Sequence, residues 1–330
     1  LEPHLTFYNK NIIFFDNKGS ILNFDQNSKL IWKSNNYSKE EKKIGPLISI
    51  SQKNNLIIAA DNLGNFYGLN AIDGKKLWLK KNDSSFNSQI KIFKNFFFVL
   101  DVNNSLHCFS VKDGSKLWSF FTEESFINSN KILSMIIKNE KIIFTNSLGD
   151  ITALDINDGK LLWQTSTLKS RIFEDIMKLN TSTLVESEDS IYFSNNLGNF
   201  YSIDLDTGST NWIQKINSSI KPTIIKNLIF TISDDGFLFV IEKNTGNIIR
   251  VTNLSYQSSF KKINSINPIG FILNSNNLFV STKNGNLLIV SIKTGKIDNI
   301  LKIDKGKISR GFILNQNMYL IKDNSIIKIN

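Results

Sequence analysis

A single cysteine, Cys108, stands in the 330-residue chain, and that scarcity removes several kinds of chemistry at once. One thiol makes no internal disulfide, no cysteine metal cluster and no vicinal-cysteine redox device. Set between His107 and Phe109 in an apolar run, it reads as a buried, inert side chain. The only histidines are His4 and His107. Neither stands in a serine–aspartate or metal-ligand context, so both read as structural. There is no Pro-, Gly- or Ser-rich linker to divide the chain. No apolar run approaches the roughly 18 residues of a membrane-spanning helix. The net charge of +10 comes mostly from scattered lysines. No five-residue basic run or basic–aromatic stripe points to nucleic acid. The charge is compatible with a compositional bias toward Lys, Asn and Ile, or with an anionic partner.

What the chain has in abundance is repetition. In residues 146–163, NSLGDITALDINDGKLLW, Gly149 and Gly159 lie ten residues apart and Trp163 lies fourteen after the first glycine. The same spacing fits Gly64, Gly74 and Trp78, and again Gly198, Gly208 and Trp212. It fits Asn104, Gly114 and Trp118 with the first glycine replaced. Gly236, Gly246 and Arg250 keep it without the tryptophan, as do Gly285, Gly295 and Asn299. Gly19 and Trp32 open the series one residue short and without the second glycine. An eighth copy begins at Asn317.

Each copy reads as short strands joined by turns. Glycine supplies the positive φ a tight hairpin needs, and Asp or Thr before it supplies the other turn position. The flanking runs are four to six residues long and rich in Ile, Phe, Leu and Tyr, which is strand length. One more apolar run precedes each unit, as at 47–51, 90–93, 132–136 and 271–273. Four strands in a period of 38 to 49 residues is the arithmetic of a propeller blade. The expectation is therefore an all-β, eight-bladed β-propeller of four-stranded antiparallel blades, one domain over 1–330. Its blades are placed near 5–32, 46–78, 89–118, 131–163, 183–212, 221–250, 268–299 and 309–330. The last blade has only three strand-like runs, and the four residues before Leu5 are too few to complete it. An upstream segment is expected to close it.

Insertions mark where function sits. Extra residues occur at 34–43, 122–130, 165–182 and 254–268, always between the closing strand of one blade and the opening strand of the next. Repeat geometry puts such insertions on one face, commonly the binding face. Those after Trp118 and Trp163 combine Phe126, Ile127, Ile172 and Phe173 with Arg171, Glu174 and Asp175. An apolar centre with an ionic rim is what a protein interface uses. These seven residues are the candidate partner-binding set.

The repeat of strand, Gly turn, apolar strand, Asp/Thr-Gly-Lys and Leu-Trp resembles that of the pyrroloquinoline-quinone-type propellers. Within them it is most similar to the BamB family of the outer-membrane β-barrel assembly machinery. The resemblance implies a non-catalytic, cofactor-free periplasmic scaffold on the inner face of the outer membrane. It implies that a lipid anchor upstream of this chain is the only membrane attachment. The partners it implies are BamA-like periplasmic domains and unfolded outer-membrane protein clients, and it puts the BamA contact at these two junctions. It also implies that Trp32, Trp78, Trp118, Trp163 and Trp212 dock against the next blade, a role that does not carry over to Arg250 or Asn299. The rival class is a quinoprotein dehydrogenase. Such an enzyme needs an axial calcium, an aspartate base and often adjacent cysteines. The 155–159 segment lacks the alternating spacing of a calcium loop. A ligand-sensing propeller would need a polar axial pocket that sequence does not display.

Overall fold

The computed structural model describes residues 4–123, 132–167, 179–255, 266–322 and 325–329. Among them 31 strands form eight antiparallel sheets, each a meander in chain order. Seven sheets have four strands and the eighth has three. This is the all-β, eight-bladed propeller fold. The sheets span 5–34, 48–81, 91–121, 135–166, 185–214, 223–253, 268–302 and 312–329. They fall into two compact units, residues 4–179 with blades 1–4 and residues 180–330 with blades 5–8.

The strands form where the pattern places them, with one informative shift. The first strand of blade 4 is Met135–Lys138, not the 132–136 run. Leu133 is drawn away because its backbone bridges blade 3, donating to Asn87 O at 2.8 Å and accepting from Gln89 N at 3.0 Å.

In blades 2–7 the second and third strands are largely buried on both faces, which explains their nearly unbroken apolar runs. In Leu56–Asp61, Ile57 packs into a cluster with Ile13 and Ile21 of blade 1. Its neighbour Ile58 packs with Phe97 and Phe109 of blade 3. The cores thus lie between consecutive blades. Each fully buried Ile or Phe there contributes about 1.5–3 kcal/mol relative to exposure.

In four repeats the second glycine is fixed by a neighbouring indole as well as by its turn. Gly74 has φ +71°, and a Cβ there would lie 2.6 Å from the Trp32 ring of the preceding blade. Gly114 meets Trp78 at 2.8 Å, Gly159 meets Trp118 at 2.6 Å and Gly246 meets Trp212 at 2.6 Å. The indole nitrogen then reaches the carbonyl three residues before that glycine. Trp32 Nε1 donates to Ala71 O at 3.0 Å, Trp78 to Val111 O at 3.2 Å and Trp212 to Lys243 O at 3.1 Å. Trp118 keeps the ring contact, but its Nε1 is buried without a hydrogen-bond partner. The Trp163 side chain as a whole is buried.

Arg250 departs from the sequence reading. Its guanidinium donates to Ile292 O and Lys293 O, both at 2.7 Å, and Ile292 is the counterpart of Ala71 and Val111. A planar fork of donors thus does what one indole N–H does elsewhere. Asn299 is exposed and holds only the adjacent Ile300 N–H, at 2.7 Å. Among the described residues, the three-stranded eighth sheet has no turn between a third and fourth strand to receive it.

This geometry predicts that Gly74→Ala destabilises residues 4–179 by about 2–4 kcal/mol, from left-handed strain plus overpacking against the indole. Gly45→Ala is the control in the same unit. It has φ +76° but only Asn17 O at 3.5 Å in the way, so it pays the backbone strain alone, about 1–2 kcal/mol. Urea unfolding of both variants checks the difference.

Candidate partner face

In a four-stranded meander, the turn between strands two and three shares an end with the connection to the next blade. All the long insertions therefore leave from the end that carries the first glycine of each repeat. That turn is built by a side chain the sequence reading overlooked. Asp16 Oδ1 accepts from Lys18 N at 2.9 Å and Ser20 N at 2.8 Å. Asp61 does the same with Leu63 and Asn65, and Asp101 with Asn103 and Ser105. Asn146 and Asn195 repeat the arrangement in blades 4 and 5. The signal was readable as Asp or Asn three residues before the glycine, the spacing of an Asx turn. Asn104 occupies the glycine position with φ 62°, a region asparagine tolerates.

Because one carboxylate oxygen serves the turn, the other is available to hold something else. In blade 2 it holds the 34–43 insertion. Tyr37 is buried and donates to Asp61 Oδ2 at 2.5 Å, while its ring fills the space over Gly19. The helix Lys39–Ile44 follows, with Ser38 and Glu41 forming a reciprocal capping box and Gly45 ending it in the left-handed region. Glu41 also accepts from Asn65 Nδ2 at 3.0 Å. The capping hydrogen bond from the Ser38 backbone holds the Glu41 carboxyl below its ordinary range. Ser-x-x-Glu at 38–41 was the sequence signal for this helix. It presents Ile44 and Leu47, 64% and 66% exposed, on an anchored scaffold.

In blade 3 the second oxygen of Asp101 lies 2.9 Å from His107 Nε2, with both side chains buried. His107 therefore does have an aspartate partner, brought to it by the hairpin. It forms no triad, since its Nδ1 is buried without a hydrogen-bond partner. Cys108 beside it packs in the core with blade 4, and burial pushes its thiol up to about 12. That leaves negligible thiolate at neutral pH. Among the described residues, no group of three or more His, Cys, Asp or Glu side chains has metal-binding geometry.

The candidate residues Phe126, Ile127, Arg171, Ile172, Phe173, Glu174 and Asp175 lie outside the described residues. The roots of their two insertions do not. Thr122 is buried and donates to Asn104 O at 3.0 Å. Thr167 is buried and donates to Gly149 O at 2.5 Å. The two turns holding them are joined, since Ser147 N donates to Asn104 Oδ1 at 3.0 Å and Asn146 Nδ2 to Thr122 Oγ1 at 3.4 Å. The insertions after Trp118 and Trp163 thus spring from adjoining, cross-linked turns.

Burial raises the Asp61 carboxyl above its ordinary 3.8, against the hydrogen bonds from Tyr37, Leu63 and Asn65. The folded state therefore takes up this proton more readily than the unfolded chain. The ionised form is a cost at neutral pH that is relieved as pH falls through the folded value toward 3.8. Asp61→Asn keeps the turn acceptor and removes the charge. The stability difference between wild type and this variant should shift toward wild type as pH falls from about 7 to about 4. Asp61→Ala, which also orphans the turn amides, should be about 2–3 kcal/mol less stable than Asp61→Asn at any pH. Urea midpoints across that range test both.

A family model described as outer membrane protein assembly factor BamB matches residues 17–252. Among solved structures, BamB from Moraxella catarrhalis superposes with a TM-score of 0.80 at 15% identity, covering 98% of this chain and 94% of that one. Sqt1 of Saccharomyces cerevisiae gives 0.74 at 10% identity, covering 97% and 93%. A europium-containing methanol dehydrogenase gives 0.71 at 11% identity, covering 97% and 81%. At such identities these likenesses speak for the fold alone. No curated protein sequence matches significantly. The family match extends over more than half of the chain, from blade 1 into the last strand of blade 6, and the chain belongs to the family of outer membrane protein assembly factor BamB.

Proposed function

We propose that this chain is a non-catalytic periplasmic scaffold. In this reading it helps insert outer-membrane β-barrel proteins by binding BamA-like periplasmic domains, with unfolded barrel proteins as further clients. A lipid anchor upstream of Leu1 holds it on the inner face of the outer membrane. The observation that carries the reading is the pair of joined turns at Asn104 and Gly149. They root two apolar-and-charged insertions side by side in a chain of the assembly-factor family. The one thiol, Cys108, is buried in the core between blades 3 and 4, away from any substrate. The proposed contact surface is Phe126, Ile127, Arg171, Ile172, Phe173, Glu174 and Asp175.

The test is binding of the full chain to BamA periplasmic domains. Phe173→Ala combined with Glu174→Arg should weaken it at least ~30-fold, the scale of a buried anchor. Lys215→Ala, exposed in the short connection between blades 5 and 6, should leave it within about twofold. A folded double variant that binds like wild type contradicts the proposed surface.

A further inference from the structure

The seven insertion residues proposed as the contact are too few to make an interface by themselves, since a stable one takes about 20–30 residues from each partner. The rest of the contact has to come from surface beside the insertion roots. At the connection end of residues 4–179, the large apolar side chains that stand exposed among the described residues are Ile44, Leu47 and Phe121. Ile44 and Leu47 belong to the connection between blades 1 and 2. Phe121 closes the outer strand of blade 3 and is followed at once by Thr122, the root of the 122–130 insertion.

A single exposed apolar residue needs no explanation on an ordinary surface, but two observations set Phe121 apart. It is 55% exposed, and no other Phe, Tyr or Trp among the described residues is exposed. It also breaks the repeat. Standing three places after Trp118, it has as counterparts Asn35, Lys81, Ser166, Lys215, Asn253 and Lys302 in the other four-stranded blades. Those polar residues follow the Lys- and Asn-rich composition of the chain, and a phenylalanine in their place runs against it.

Phe121 is also held in place. Its backbone pairs with Ser105 in the outer ladder of blade 3. The next residue is fixed twice, Thr122 N and Oγ1 both donating to Asn104 O, at 3.3 and 3.0 Å. Asn104 Oδ1 accepts from Ser147 N of blade 4, at 3.0 Å. On the other side, Asn103 Nδ2 donates to Ser84 Oγ of the connection from blade 2, at 2.8 Å. Within the strand, Trp118 and Phe120 pack into the core shared with blade 4, and strand alternation turns Phe121 to the opposite face. Its ring is therefore presented from a rigid strand, with little freedom left to lose on contact.

An exposed, pre-positioned aromatic beside an apolar-and-charged insertion suits a binding anchor, because such rings bury a large area and are enriched at protein interfaces. We propose, resting on the assembly-factor reading, that Phe121 is a further contact residue of the partner face. Its ring seats in an apolar depression on the BamA-like periplasmic domains. The contact thereby extends from the two insertions onto the outer strand of blade 3.

The experiment is binding of the full chain to BamA periplasmic domains, with urea midpoints showing each variant folded. Phe121→Ala should weaken binding at least ~tenfold, and Phe121→Leu, which keeps much of the apolar area, should lie between it and wild type. Leu117→Ala removes a side chain 48% exposed at the turn end of the same strand, and should stay within about twofold. Hydroxyl-radical footprinting of the wild-type complex should show Phe121 protected, and it decides the matter even if a variant misfolds. Wild-type binding by folded Phe121→Ala, equal loss in Leu117→Ala, or an unprotected Phe121 overturns the inference. If Phe173→Ala with Glu174→Arg still weakens binding in that case, the insertion surface stands without Phe121. If wild type itself does not bind, the assembly-factor reading falls and Phe121 with it.

Discussion

The contact on which this chain depends is the seating of one blade's outer side chain on the next blade's turn. A single residue is held from two sides there. Ala71 gives its N–H to Asn55 of its own blade, at 2.9 Å, and its carbonyl takes the Trp32 indole of the blade before, at 3.0 Å. Val111, Lys243 and Ile292 repeat this with Asn95, Asn227 and Asn276 on one side and with Trp78, Trp212 and Arg250 on the other. The glycine three residues on leaves room for the ring. Gly, Trp and their spacing are thus one device, and its parts constrain each other more than each constrains its own strand.

That device commits the turn ends of blades 2, 3, 6 and 7 to architecture and frees the other end for variation. There the Asx turn anchors whatever follows, because its second polar atom is spare. In blade 2 it carries a capped helix through Tyr37, in blade 3 it pairs with His107, and in blade 4 it helps root the insertions beside it. One repeated turn thus supports different loops without altering the sheets beneath. This is how a repeat protein acquires a binding face while keeping its core.

The sequence made the fold legible because the fold is local. Strand, turn and docking residues all lie within one period, so spacing alone reveals eight units. What it hid were interactions across hairpins and between blades. Asp101 and His107 are six residues apart and paired only by register. Arg250 broke the tryptophan pattern yet kept its donor role, which residue identity obscured and geometry made plain. Leu133 lay in a strand-like run, but its backbone had already been claimed by blade 3. The candidate partner site was legible only as composition. Its roots lie on adjoining turns, while the side chains at 126–127 and 171–175 fall outside the described residues.

If the docking device governs the structure, its two halves must be energetically coupled. The direct measurement is a double-mutant cycle on Trp78 and Gly114, using Trp78→Ala, Gly114→Ala and the pair, followed by urea unfolding. A Cβ on Gly114 would lie 2.8 Å from the Trp78 ring, so removing the indole should relieve most of the steric cost and leave only backbone strain. The cycle should then show a coupling of about 1–3 kcal/mol, with the double variant more stable than the sum of the singles predicts. Additivity within about 0.5 kcal/mol would mean that the glycine answers to its turn alone, and would contradict the account.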